Sequence, residues 1–307
     1  MIKLYNNFNI QNIHKKSIIL IGNFDGLHLG HQKLFYLAKR YKKNFSLKVG
    51  VLTFEPMPKM YFNKKIKNFR ISNKKQKIDL LNKFNVDFVI IKKFNKKFSK
   101  IKSIDFIKKI LAKKLNARFI FVSNNFRFGN KREGDVRQLI KYEHRCNYKI
   151  IKPKPLLIKK KIVSSTLIRN YLQKGKLDKI NKLLNREWSI EGKVQKGRQL
   201  GKKIGFPTAN IDIKDYVLGC PGVYAVRAKM TKSSKYLKGI ANLGYRPTFN
   251  GKKILLEVHL FNFSGNLYNK YLTVEFLKFI RKEKKFRNID QLKKQIKADL
   301  SIAKKIK

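Results

Sequence analysis

Two histidines near the start of the chain are spaced so that both could act on one ligand. His28 and His31 lie in Gly22-Asn23-Phe24-Asp25-Gly26-Leu27-His28-Leu29-Gly30-His31, between an apolar run, Ser17 to Ile21, that reads as a buried strand and a helical pattern with Leu34, Leu37, Ala38 and Tyr41. The glycines let backbone approach a ligand, and a helix N-terminus offers free N–H groups and partial positive charge to phosphate. Three residues apart, the imidazoles share one face of the first turn. There they can donate hydrogen bonds to nucleotide phosphates as charge builds up in a transition state. Two other readings are ordinary helix-start residues and half of a metal site. A metal needs more ligands, and only His14, His144 and His259 remain, with no His-Glu-x-x-His pattern. Neither Gly-x-Gly-x-x-Gly nor a Walker A loop is present.

Two further groups have chemical potential. Ser164-Ser165-Thr166-Leu167-Ile168-Arg169 places small hydroxyl residues at a helix start, where they cap it and bind phosphate, and sets Arg169 one turn on to fork phosphate oxygens. The same residues read alone make a plain Ser/Thr cap. Glu257 is a lone carboxylate between Leu256 and Val258 in an apolar strand. Spacing leaves two readings even: a general base pointing into a site, or a solvent-facing residue paired with a lysine.

The elements that must hold these groups fall into two kinds. Strand candidates Leu47 to Phe54, Phe88 to Ile91, Phe119 to Val122 and Tyr148 to Ile151 alternate with helical stretches near Lys74 to Phe84, Ile104 to Leu115 and Glu133 to His144. This βαβ rhythm predicts an α/β, Rossmann-like domain with a mostly parallel sheet over residues 1–185. After Arg186 come strands without intervening helices: Trp188 to Val194, Val223 to Met230, Lys238 to Leu243, Leu255 to Phe263 and Leu272 to Phe279. With their Gly and Pro punctuation they predict a small antiparallel β-barrel over residues 186–307. A terminal helix is expected with Asp290 as N-cap and Leu292, Ile296 and Leu300 on one face.

A length of 307 residues suits two domains, and 43% hydrophobic residues can bury real cores. The 74 Lys+Arg against 18 Asp+Glu give a formal charge of +56, spread through every segment type, which reads as compositional bias rather than a focused nucleic-acid surface. Cys146 and Cys220 are far apart without metal spacing, and no run reaches membrane-spanning length, so a cytoplasmic protein is expected by default.

From about Gly22 to Leu300 these segments, in order, resemble the bacterial bifunctional riboflavin kinase/FAD synthetase family. The histidine segment resembles its Gly-x-Phe-Asp-Gly-x-His-x-Gly-His signature. Thr53-Phe54-Glu55-Pro56-Met57-Pro58 is similar to Thr-Phe-x-Pro-His-Pro, Asn125-Phe126-Arg127-Phe128-Gly129 to Asp/Asn-Phe-Arg-Phe-Gly, and the Ser164 segment to Ser-Ser-Thr/Ser-x-Ile-Arg. In the second domain Gly201-Lys202-Lys203-Ile204-Gly205-Phe206-Pro207-Thr208-Ala209-Asn210 resembles Gly-Arg-x-Leu-Gly-Phe-Pro-Thr-Ala-Asn. Pro221 to Tyr224, Ala241 to Phe249 and Leu256 to Leu260 match as well.

The resemblance implies a nucleotidyltransferase domain, in which FMN phosphate attacks the α-phosphorus of ATP, and a riboflavin kinase domain. His28, His31, Ser165, Thr166 and Arg169 would position phosphate and stabilise charge, Gly22, Asn23, Phe24, Asp25, Gly30 and Ser164 would line the ATP site, and Asn125, Phe126, Arg127 and Phe128 would contact flavin. Gly201, Gly205, Phe206 and Pro207 would hold the kinase's ATP, Thr208 and Asn210 its magnesium, and Glu257 would take the riboflavin hydroxyl proton. Riboflavin, FMN and ATP are the implied partners, with no specific nucleic acid, no membrane, and a monomer or weak self-association. Met57 stands where the family has His, Leu167 where it often has Arg, and Ser123 where Gly usually precedes the Asn/Asp motif. Met57 gives the alternative its basis: a kinase whose adenylyltransferase is weakened or lost. A basic nucleic-acid-binding protein and a nucleotidyltransferase acting on another phosphorylated acceptor are the remaining alternatives.

Overall fold

Ile18–Ile21 carries four apolar residues in a row, so both faces of this strand must be covered, as a central parallel strand requires. The computed structural model of the chain describes residues 2–66, 69–197, 199–230, 233, 235–248 and 251–306. It divides into two compact units, Met1–Lys67 with Lys74–Val163, and Asn68–Asn73 with Ser164–Lys307.

In the first unit, strands β1 (Lys3–Tyr5), β2 (Ile18–Ile21), β3 (Val49–Glu55), β4 (Phe88–Lys93), β5 (Phe119–Phe121) and β6 (Lys149–Ile151) form a sheet of order β1-β4-β3-β2-β5-β6, parallel at every pairing. Helices α1 (Leu29–Phe45), α2 (Pro58–Phe62) and α3 (Lys74–Lys83) belong to it, with a π-helical segment, Phe106–Lys114. The strand alternation sorts the core onto two faces. Ile18, Leu20, Val49 and Val51 meet Leu34, Phe35 and Ala38 of α1 and Leu81 of α3, whereas Ile19, Ile21, Leu52 and Phe54 share a cluster with Phe106, Ile107, Ile110 and Leu111. The doubly covered parallel sheet matches the sequence expectation. Because β3 lies on one side of β2 and β5 on the other, the topological switch falls at β2, and ligands of such sheets bind beyond strand C-termini at that point.

Some details differ from expectation. The helical stretch near Glu133 to His144 is two short helices, Val136–Lys141 and Glu143–Cys146, because Asp135 accepts a hydrogen bond from Gln138 N at 2.9 Å and starts the first one there. The edge strand β1, absent from the sequence reading, is short, with the pattern exposed, exposed, half-buried.

The second unit has helices α4 (Ser165–Gln173) and α5 (Leu177–Leu184), then strands β7 (Trp188–Gln195), β8 (Ala209–Asp212), β9 (Gly222–Met230), β10 (Leu237–Thr248), β11 (Gly251–Leu260) and β12 (Tyr271–Lys282), and helix α6 (Ile289–Lys304). The strands close as an antiparallel barrel of order β7-β8-β11-β10-β9-β12. Strand β8 was not expected, since Asn and Asp occupy two of its four positions. The N-cap of α6 is Asn288, which accepts from Gln291 N at 2.9 Å, and not Asp290, which lies in the first turn. Phe69–Asn73, earlier in the chain, is stitched into this unit: Arg70 N donates to Asp215 O at 3.0 Å, Val217 N to Arg70 O at 2.8 Å, and Trp188 Nε1 to Ile71 O at 3.1 Å. By compactness residues 164–185 also go with the barrel, so spatial units and the expected domains 1–185 and 186–307 do not coincide there.

Candidate active sites

The segment from Gly22 to His31 leaves the C-terminal end of β2 at the switch point and runs directly into α1. Gly22 N donates to Leu52 O at 3.1 Å, extending the pairing with β3, and Thr53 Oγ1 donates to Asn23 O at 3.4 Å. The loop then turns inward: Phe24, Leu27 and Gly26 all have positive φ (46°, 38° and 79°), and Phe24, Asp25, Leu27 and His28 are buried. A left-handed conformation is costly for Phe and Leu and persists where the surroundings impose it, commonly at ligand sites. Gln32 Nε2 donates to Leu27 O at 2.9 Å and fastens the loop to the helix.

His28 is the N-cap of α1. Its carbonyl accepts from His31 N and Gln32 N at 2.7 and 3.0 Å, but its side chain does not cap the helix. The ring instead stacks on His31, centroids 3.7 Å apart and 19° from parallel, and Phe24 abuts His31 edge-on at 5.2 Å. Nδ1 of His31 is buried without a hydrogen-bond partner. Burial first, then the His28 ring, then the charge of Lys77 hold the His31 imidazole well below its ordinary pKa of 6.5, so it is neutral at pH 7. A neutral imidazole beside a helix N-terminus is a hydrogen-bond donor whose basicity phosphate would restore. Gly30 is tightly packed: a Cβ there would lie 3.1 Å from His28 Nδ1 and from Val163 O. Val163 is thus at the mouth of α1.

Ser164 is the N-cap of α4, its Oγ accepting from Leu167 N at 3.2 Å. Ser165 is half-buried and Thr166 exposed. Arg169 lies flat on Phe69, guanidinium carbon 3.7 Å from the ring centroid, and its Nε donates to Phe69 O at 2.8 Å. The guanidinium is therefore oriented by the Phe69 segment, which carries no motif of its own. These residues belong to the second unit and the histidines to the first.

Asn125 is exposed and accepts from Ser123 Oγ at 2.9 Å, Arg127 is exposed, and Phe126 stacks on Phe128 at 5.5 Å. Phe128 itself is buried against Phe106, leaving the half-buried Phe126 as the better-placed ring for a planar ligand.

In the barrel, Asn210 of β8 pairs with Glu257 of β11, and Glu257 with Asn242 of β10. The rows on either side, Ala209–Val258–Ala241 and Ile211–Leu256–Leu243, are buried. Alternation along the strands therefore puts the polar row on the outer face of the barrel. The Gly201–Thr208 loop stands beside it: His259 Nδ1 donates to Pro207 O at 2.8 Å, and Phe206 N to Gly201 O at 2.7 Å. A Cβ on Gly201 would lie 2.4 Å from Phe206 O, and one on Gly197 2.3 Å from Asn210 Nδ2, so both glycines are required by close approach. Gly205 has φ 91°. Asn210 Oδ1 is buried and accepts no hydrogen bond. An orphaned amide oxygen suits a hard cation, and the half-buried Thr208 offers a second oxygen donor two residues away. Among the described residues no group of three or more His, Cys, Asp or Glu is arranged to hold a metal, so any ion here would draw its remaining ligands from phosphate and water. Asn242 was not among the candidate residues of the sequence; only the register across β10 and β11 reveals it. The side chain of Lys202 and the residues 249–250 of the Ala241 to Phe249 match lie outside the described residues.

Residues 10–167 match the FAD synthetase family and residues 184–307 the riboflavin kinase family. Two nucleotide-dependent transferase modules thus follow one another in a single chain, each with the fold expected of it. The chain belongs to the bifunctional riboflavin kinase/FMN adenylyltransferase family. It is 43% identical over 301 residues to that protein of Buchnera aphidicola subsp. Schizaphis graminum, covering 97% of this chain and 96% of the relative. It is 38% identical to the Haemophilus influenzae protein, covering 96% of each chain. A crystal structure described as a macrolide-efflux protein from Streptococcus pneumoniae superposes with a TM-score of 0.84 at 26% identity, covering 99% of each chain. That likeness is one of fold; among the described residues no helix is long and apolar enough to cross a membrane.

Proposed function

We propose that this chain phosphorylates riboflavin to FMN and adenylylates FMN to FAD, with ATP as donor in both reactions. The observation that carries the reading is the pairing of two different phosphate-type constellations, the His28–His31 stack at the end of β2 and the Asn210–Glu257–Asn242 row beside a Gly/Pro loop, in the two halves matched by the two families.

In the adenylyl reaction the protein's task is positioning and charge stabilisation. His28 and His31 donate to the ATP phosphates from the N-terminus of α1, Ser164, Ser165 and Thr166 cradle phosphate at the start of α4, and Arg169, held by Phe69, forks its oxygens. Gly22, Asn23, Phe24, Asp25 and Gly30 line the nucleotide, and Phe126 with Asn125 and Arg127 meets the flavin. In the kinase reaction Glu257 takes the proton of the riboflavin 5'-hydroxyl as that oxygen attacks the γ-phosphorus. Gly201, Gly205, Phe206 and Pro207 wrap the ATP. Thr208 and Asn210 would hold magnesium, which would neutralise phosphate charge. Cytoplasmic residence and action on small molecules, without a nucleic-acid or membrane partner, belong to the same proposal.

A second reading has one observation behind it. Met57 is buried, 2% exposed, and a thioether donates no hydrogen bond, so the adenylyl site lacks a polar group there. Incubating the purified chain with riboflavin, ATP and magnesium and following FMN and FAD over time separates the two. FMN followed by FAD supports both activities; FMN alone, even with FMN supplied, leaves a kinase.

A further inference from the structure

In a chain whose lysines cover the surface, Lys77 is the only lysine among the described residues with a buried side chain, 4% exposed. An ammonium is buried only where charge or hydrogen bonds compensate it, so this lysine cannot be assigned to compositional bias as the exposed ones are. Its surroundings follow from helix packing. Helices α1 and α3 lie on the same face of the sheet, with Leu34, Phe35 and Ala38 in one cluster with Leu81, and the Phe35 ring stacks on Phe84 at 5.3 Å. Both helices precede strands of one parallel sheet, so their N-termini point to the same end. Lys77 is one turn before Leu81 on α3, and His31 one turn before Phe35 on α1, so each lies over the same face of its helix as a packed residue. The two first turns are side by side. The electrostatics agree: Lys77 is the third of the causes lowering the basicity of His31. The loop does contain one carboxylate, Asp25, itself buried.

We propose that Lys77 is a phosphate-binding residue of the adenylyl-transfer site, placed beside the His28–His31 stack so that its ammonium meets the ATP phosphates. The lysine's charge adds to the partial positive charge of the α1 N-terminus where phosphate would sit. The assignment rests on the adenylyltransferase reading and gives that site a cation that position 57 does not provide. Lys59, close to Met57 in sequence, is exposed and has no such placement.

The test uses the full chain with Lys77→Met and Lys77→Arg, supplied FMN, varied ATP, and FAD formation as readout. Loss of one charged hydrogen bond predicts a KM for ATP raised about tenfold or more in Lys77→Met, with most of the loss restored in Lys77→Arg. Riboflavin phosphorylation by the same preparations should be unchanged, which confines the effect to the adenylyl-transfer reaction. Thermal stability of Lys77→Arg, which keeps the charge, should equal that of the wild type. Lys77→Met with wild-type kinetics for ATP would overturn the assignment. So would a variant that melts early and is not rescued by arginine, since that marks a structural lysine. A wild-type chain that forms no FAD at all would sink the activity, and this residue's role with it.

Discussion

Asn210 stands directly opposite Glu257 across the β8–β11 ladder, with Asn242 in the matching place on the far side of Glu257. A carboxylate flanked by two amides on the barrel's outer face, between two buried apolar rows, is held by a rigid sheet rather than a loop. Replacing Glu257 with Gln keeps the shape and removes the base. Positioned general bases contribute typically about 10²- to 10⁴-fold, so Glu257→Gln should slow FMN formation by about that factor. Conversion of supplied FMN to FAD should continue at the wild-type rate. Equal loss of both products would mean that the two reactions do not have separate sites.

The stacked imidazoles make the opposite prediction. His31→Ala removes one donor and the ring on which His28 rests. Losing a preorganised donor to developing phosphate charge should lower FAD formation by about 10²- to 10³-fold and leave FMN formation intact. Product separation on the same samples reads both outcomes. A His31→Ala enzyme that still makes FAD at near the wild-type rate would remove the histidines from the chemistry.

Stability should also register His31. Its folded pKa lies well below 6.5 through burial, His28 and Lys77, in that order, while the unfolded chain titrates near the ordinary value. Between those two values the unfolded state binds the extra proton, so stability is complete above about pH 6.5 and declines as pH falls through the window. Thermal unfolding at pH 7.5 and pH 5.5 should show a smaller loss for His31→Gln than for the wild type. The reverse order would contradict a neutral, buried imidazole.

The main strands were legible because their apolar runs are undiluted: Ile18–Ile21 and Phe119–Phe121 have few alternatives to burial in a parallel sheet. The histidine loop was legible from glycine placement and spacing. Other features depend on partners distant in sequence. Phe69–Asn73 reads as an ordinary connection, and only its hydrogen bonds to Asp215, Val217 and Trp188 tie it to the barrel unit. Asn242 becomes a site candidate only through β10–β11 register, and Lys77 only through the alignment of α1 with α3. Phe128 matches the family motif, yet its ring is part of the core. Asn288 takes the cap of α6 from Asp290 because its own backbone is extended while its side chain reaches Gln291 N.

The terminal helix is fastened by a charge pair that gives the last prediction. Asp299, 2% exposed, accepts from Arg281 Nε at 2.9 Å and from Arg281 Nη2 at 2.7 Å, and Gln295 Nε2 donates to its other oxygen at 2.9 Å. Val223, Ala225 and Ile240 of the barrel share a small apolar cluster with Ala303 of α6, so the pair works beside a modest hydrophobic contact. Removing one partner of such a buried pair leaves the other charge uncompensated, at about 3–5 kcal/mol. Asp299→Ala should therefore lower the melting temperature by several degrees. Replacing both residues, Arg281→Met with Asp299→Leu, should recover much of the loss, because neither charge is then left buried. Because the pair is shielded from solvent, the wild-type advantage over Asp299→Ala should persist at high salt; its disappearance there would identify a surface contact instead.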